Sequence, residues 1–147
     1  MYFEEFADNW RATTKGRTVS EGDIVTFSTM TGAYNSLFLN EEVAKKTDFG
    51  GRIAPGLLTA SIATGLVYLL PQSPFEGGFI ALVGLNMKAK KRVRIGDTLT
   101  CSMHVGEKKE RTENGIVHLM SDVLNQSGES VMEIEHIIMV QKKKKEK

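Results

Sequence analysis

Two short stretches of the chain hold most of the residues whose types and spacing suit chemistry. The first is Thr31-Gly32-Ala33-Tyr34-Asn35-Ser36-Leu37-Phe38, in which Asn35 offers an amide that both donates and accepts hydrogen bonds. That amide suits a ligand contact, although a bond to the loop's own backbone is its more ordinary use. The second is Phe49-Gly50-Gly51-Arg52-Ile53-Ala54-Pro55-Gly56-Leu57. Gly56 opens a long apolar run, and a helix starting there aims free backbone N–H groups at any oxygen on which negative charge develops. Close packing, or a plain helix entry after Pro55, accounts for the same glycine.

The remaining polar groups are weaker candidates. Arg52 and the stretch Lys88, Lys90, Lys91, Arg92 and Arg94 carry charge suited to phosphates, but strand alternation would set Lys88, Lys90, Arg92 and Arg94 on one solvated face. Glu41 and Glu42 sit where a helix start wants negative charge and Asp48 sits in a turn, so all three read as solvated. Tyr34, Thr59 and Ser61 offer hydroxyls that can position water but are not bases unaided. His104, His118 and His136 lie on separate strands without metal-ligand spacing and read as surface or sheet residues. No metal site is expected, and Cys101, on an alternating strand, reads as a small core residue rather than a nucleophile.

Elements must hold these groups in place. Trp10 to Val19 is a β-rich lead-in broken at Lys15-Gly16. Ser20 and Asp23 make a capping-box-like start to a short amphipathic helix with Ile24, Phe27 and Met30 on one face and Gly32 at its end. Asn40 caps a second, Glu41 to Lys46. From Gly56 to Leu70 nearly every residue is apolar or small, which marks a buried helix. Its length of about 22 Å is short of the roughly 20 residues that cross a bilayer, and Pro71 and Pro74 follow it, so no membrane contact is expected.

Four strands follow: Phe79 to Val93, Thr98 to Val105, Ile116 to Leu124 and Val131 to Gln141. The turns between them fall at Ile95-Gly96-Asp97, at Gly106 to Gly115 and at Asn125 to Gly128. Helices first and consecutive strands after them predict an α+β domain, with an antiparallel sheet curved around the central apolar helix, the architecture called a hot dog.

At 147 residues, 41% hydrophobic and 25% charged, the chain fits one soluble domain, here 1–141, followed by a lysine-rich tail, 142–147. The net charge of +1 includes +4 from that tail, so the body is −3. A mildly acidic body without stacking aromatics among its cations argues against nucleic-acid binding, and the tail reads as a solvated, frayed end. One cysteine and an N-terminus bearing Glu4, Glu5 and Asp8 point to the cytoplasm.

The two stretches quoted first resemble the signatures of the MaoC-like (R)-specific enoyl-CoA hydratases, Ser/Thr-Gly-Asp-x-Asn-Pro-x-His and Phe-Gly-x-x-Ile-Ala-His-Gly-Met/Leu. The spacing between them agrees, and the turn Ile95-Gly96-Asp97-Thr98-Leu99 extends the likeness. The resemblance implies a homodimer or larger homo-oligomer that takes an acyl-CoA, with coenzyme A as part of the substrate and no other cofactor. It further implies an oxyanion-binding role for Gly56, and Asn35, Gly56 and Arg52 are the substrate-binding candidates. In that family the signature Asp and His activate the water that adds across a trans-2-enoyl thioester, and here those positions are Ala33 and Phe38, neither able to move a proton. Ser36 and Pro55 also depart, while Gly32, Asn35, Ala54 and Gly56 remain.

The expectation is an acyl-thioester-binding hot-dog protein degenerate as a hydratase. Its rivals are an active hydratase or acyl-CoA thioesterase with another residue set, or the non-catalytic partner of a complete homologue. Residues 56–70 lack the Asp or Glu that hot-dog thioesterases often carry on or near this helix.

Overall fold

The computed structural model describes residues 1–144. A single 3-10 turn at Phe3–Glu5 leads to strands β1 (Arg11–Thr13) and β2 (Arg17–Thr18) and helices α1 (Glu21–Thr31), α2 (Ser36–Leu39), α3 (Glu41–Ala44) and α4 (Gly56–Tyr68). Strands β3 (Phe79–Ala89), β4 (Thr98–Glu110), β5 (Asn114–Leu124) and β6 (Ser130–Gln141) complete the fold. The helix starts follow their caps. Ser20 Oγ accepts from Asp23 N at 3.1 Å while the Asp23 carboxylate accepts from Ser20 N at 2.8 Å, and Gly32 ends α1 at φ 78°.

The sheet is antiparallel in the order β1-β4-β5-β6-β3, with β2 on β4 as well. Alternation sends Leu99, Cys101, Met103, Leu119, Val123, Ile134 and Ile138 to one face, where all are buried. That face wraps α4, which buries Leu58, Thr59, Ala60, Ile62, Ala63, Leu66 and Val67 against it. The two layers touch where Cys101 Sγ lies 3.6 Å from Ala63 O. This is the hot-dog fold. Gly115 is a necessary glycine, since a Cβ there would lie 2.1 Å from the Phe3 ring that seals the sheet end.

Several boundaries differ from expectation. The polar stretch Gly106 to Gly115 is mostly strand: β4 continues to Glu110 past a register shift between Val105 and Lys108, and only three residues turn before β5. The bulge breaks the two-residue alternation that would have revealed the strand. Conversely β3 stops at Ala89, because Lys90 N and Lys91 N both turn to Val131 O, at 2.9 and 3.2 Å. Alternation therefore does not govern Lys90, Arg92 and Arg94, and the single solvated face expected for them is not formed.

Helix α2 was not anticipated, and α3 and α4 end two residues sooner than expected. In the tail, Lys142 reaches Glu110 at 2.5 Å, while Lys143 reaches Glu5 at 2.9 Å and donates its N–H to Glu4 at 2.9 Å. Those two residues are tied down rather than frayed; the last part of the tail, 145–147, lies outside the described residues. Among the described residues no helix is long and apolar enough to cross a membrane.

Candidate functional site

The first stretch and the start of α4 are stitched side by side. Ile53 N donates to Leu37 O at 3.0 Å, and Ala54 N donates to Val93 O at 2.7 Å, so the segment 52–55 runs between the α2 region and the chain leaving β3. Asn35 caps α2: its Oδ1 accepts from Leu37 N at 2.9 Å. The amide thus has the loop role, with its side chain still on the exposed surface. Ala33 and Phe38 are both half-buried, and Phe38 packs its ring against the core.

Pro55 enters α4 in extended geometry and supplies no side-chain cap, so the first-turn N–H groups have no side-chain acceptor. Gly56 has no positive φ, and a Cβ there would sit 3.5 Å from Met87 Cε, an ordinary contact. Packing within this chain therefore does not require a glycine, which removes the steric alternative and leaves room for a ligand atom to approach the backbone.

A cavity of about 260 Å³ opens beside it, with Phe49, Ile53, Gly56, Thr59, Arg92 and Met132 in its wall. That wall contains no carboxylate and no imidazole; its sole hydroxyl is Thr59, and its titratable groups are Lys90, Lys91 and Arg92. Proton transfer at Gly56 would have only the two lysines of this wall to run on, and both are in ion pairs, Lys90 with Glu133 at 2.6 Å and Lys91 with Glu129.

Arg52, a substrate-binding candidate, is engaged by two carboxylates. Its Nε meets Glu41 at 2.9 Å and a terminal nitrogen meets Glu21 at 2.8 Å, while Arg52 N donates to Glu41 at 3.3 Å. The side chain is 19% exposed, and bonding to Glu21 and Glu41 raises its pKa. Glu41 in turn is held below the ordinary carboxylate range, chiefly by its bond to Arg52; it stays on the surface, as its sequence position suggested, but is paired there. This clasp ties α1 and α3 to the Gly50–Pro55 segment; the pairs lie 31 and 11 residues apart, a spacing with no sequence signature.

The histidines separate into three environments. His104 is exposed, and His118 lies on the outer face of the sheet with Nδ1 2.7 Å from Glu135. His136 is fully buried, faces α4 and meets Thr64 Oγ1 at 2.8 Å. Because Thr64 donates its hydroxyl hydrogen to Ala60 O at 2.8 Å, it accepts from His136 Nε2–H, which leaves Nδ1 buried and unbonded. Burial pushes this imidazole down to about 4. Burial likewise pushes the Cys101 thiol up to about 12, so it is inert as a nucleophile. Among the described residues no three His, Cys, Asp or Glu side chains group as metal ligands do.

Residues 3–125 match the model of the MaoC like domain family. The chain is a MaoC-like domain. A 3-hydroxybutyryl-CoA dehydratase of Methylorubrum extorquens is 35% identical over 107 residues, which cover 73% of this chain and 65% of that enzyme. The chain thus spans just under two thirds of that relative's length. An (R)-specific enoyl-CoA hydratase of Rhodospirillum rubrum is 34% identical over 71% of this chain and 69% of its own length. Among solved structures, a monoamine oxidase regulatory protein of Archaeoglobus fulgius superposes with a TM-score of 0.92 at 35% identity, covering 98% of this MaoC-like domain and 96% of its own chain.

Proposed function

We propose that this MaoC-like domain binds an acyl-CoA thioester at the start of α4 and does not hydrate it by the family's acid–base route. The observation that carries this reading is the cavity at Gly56, which keeps an uncapped helix start but has neither carboxylate nor imidazole in its wall, with Ala33 and Phe38 at the two signature positions. The helix dipole and free N–H groups would hold the thioester oxygen; no carboxylate or imidazole of the wall stands beside it to activate water. Helix α4 carries no Asp or Glu, which disfavours a thioesterase. A single buried cysteine suits the reducing cytoplasm.

The test combines calorimetric titration with crotonyl-CoA and a hydration assay that follows loss of the enoyl absorbance. Binding with a rate at background is expected. A rate well above a heat-inactivated control would sink the reading, as would absence of binding to several acyl-CoA chain lengths. The Ala33→Asp, Phe38→His double variant should gain hydration, because it returns the pair to a groove that is otherwise kept.

A second reading, the non-catalytic subunit of an oligomer, is favoured by the edge of the sheet. Strand β3 is hydrogen-bonded on one side only and exposes Ile80, Leu82, Val83 and Leu85 at 42–50%. An open apolar edge of this length is a pairing surface, for a second copy or for a homologue that retains Asp and His. Mass measurement of the purified chain should give a dimer or larger, and Val83→Lys should shift it toward monomer. Co-purification of a homologue from the native cell separates the mixed assembly from the homodimer.

A further inference from the structure

Resting on the thioester-binding reading, we propose that Phe75, backed by Tyr68 and Phe79, is a specificity-determining stop that limits the acyl chain of the bound thioester to about ten carbons. The substrate class is then a short- to medium-chain acyl thioester, and the chain lies in an apolar trough between α4 and β3.

The walls of the trough follow from strand register and helix spacing. Leu82 stands opposite Ile138, Leu85 opposite His136 and Met87 opposite Ile134, so these three β3 side chains share the face that α4 covers. Their cover is incomplete. Leu82 and Leu85 are 45% and 42% exposed, whereas Ile134, His136 and Ile138 beside them are buried. On α4, Leu57, Ser61, Thr64 and Tyr68 recur at the spacing of one helix face, and Leu57, Ser61 and Tyr68 are exposed. Two contacts set that face beside β3. Met87 Cε is the atom nearest a Cβ at Gly56, at 3.5 Å, and Thr64 Oγ1 meets His136, the neighbour of Leu85, at 2.8 Å.

The far end of this trough is filled. Phe75 is buried and packs on Tyr68 with ring centroids 4.5 Å apart; it meets Phe79 edge-on at 5.5 Å and His136 at 5.6 Å. One ring therefore touches α4, the start of β3, and β6 at the level of Thr64. Thr64 lies about 12 Å along the helix from Gly56. An extended chain advances about 1.2 Å per bond, so about ten carbons carry it from a thioester at Gly56 to the ring. A longer chain has to leave over the open edge of β3 into water, where added methylenes gain nothing.

The experiment titrates the full chain by calorimetry with saturated straight-chain acyl-CoAs from butyryl-CoA to palmitoyl-CoA. Affinity should rise about two- to four-fold per added methylene, the lower figure reflecting a trough open on one side, and level off near ten carbons. Phe75→Ala should carry the rise a few carbons further while leaving butyryl-CoA affinity unchanged, because four carbons end well short of the ring. Tyr68→Ala, at a half-exposed side chain, should move the limit the same way and keeps the test independent of how Phe75→Ala folds. Affinity that does not change with length overturns the trough, leaves the thioester site standing and gives the strip to a second copy of the chain. A rise that runs unbroken to palmitoyl-CoA, or a limit that neither variant moves, overturns the aromatic stop. Failure of every chain length to bind the wild type overturns the thioester site as well.

Discussion

The buried histidine makes the stability of this domain depend on pH in a window where carboxylates contribute little. His136 has a folded pKa of about 4 against an ordinary 6.5, and its unbonded Nδ1 has no acceptor to receive a proton's charge. A depressed base works in one direction: below 6.5 the unfolded chain takes up the proton and the folded chain does not, so stability falls as pH drops and levels off below the folded value. At about 1.4 kcal/mol per pH unit, the full loss is about 3 kcal/mol, and the step from pH 7.5 to 5.5 costs about 1.4 kcal/mol.

The lowered carboxylates, Glu41 and Glu135 among them, start from 4.5, so their losses come on at lower pH. Urea unfolding at pH 7.5 and 5.5, at fixed protein concentration, measures the step. His136→Leu, similar in volume and with Thr64 still bonded to Ala60, should be nearly flat over the same interval. If wild type and variant fall equally, or if wild type does not fall at all, His136 is not the buried neutral group described here.

Two further perturbations separate fold from site. Gly56→Ala should leave stability unchanged or raise it by up to ~1 kcal/mol, since its Cβ meets only Met87 Cε at 3.5 Å, yet weaken crotonyl-CoA binding about ten-fold; urea unfolding and calorimetry read the two effects. Arg52→Ala should loosen the segments 33–38 and 49–55, seen as about ten-fold faster amide exchange there with β5 still protected, and Arg52→Lys should rescue little because one ammonium cannot hold Glu21 and Glu41 in the same fork geometry.

What was legible in the sequence is what depends on near neighbours. The apolar run from Gly56 marks α4 because a helix without a polar face has only the core to lie in, and Ser20 with Asp23 marks the start of α1 because the reciprocal bonds span three residues. Asn35 could be given its loop role in advance for the same reason. The motif likeness located the stretches Thr31 to Phe38 and Phe49 to Leu57, and the backbone bond from Ile53 to Leu37 sets them side by side.

What was not legible depends on distant partners. Arg52 looks like a phosphate ligand until folding places Glu21 and Glu41 against it, and neither acid is announced by its spacing in the sequence. The same logic applies to the missing pair. The uncapped start of α4 and the clasp around Arg52 are set by the fold, whereas Ala33 and Phe38, at the two signature positions, carry no group that moves a proton. On the reading proposed above, the expected behaviour is binding without turnover, which the crotonyl-CoA titration and the hydration assay check together.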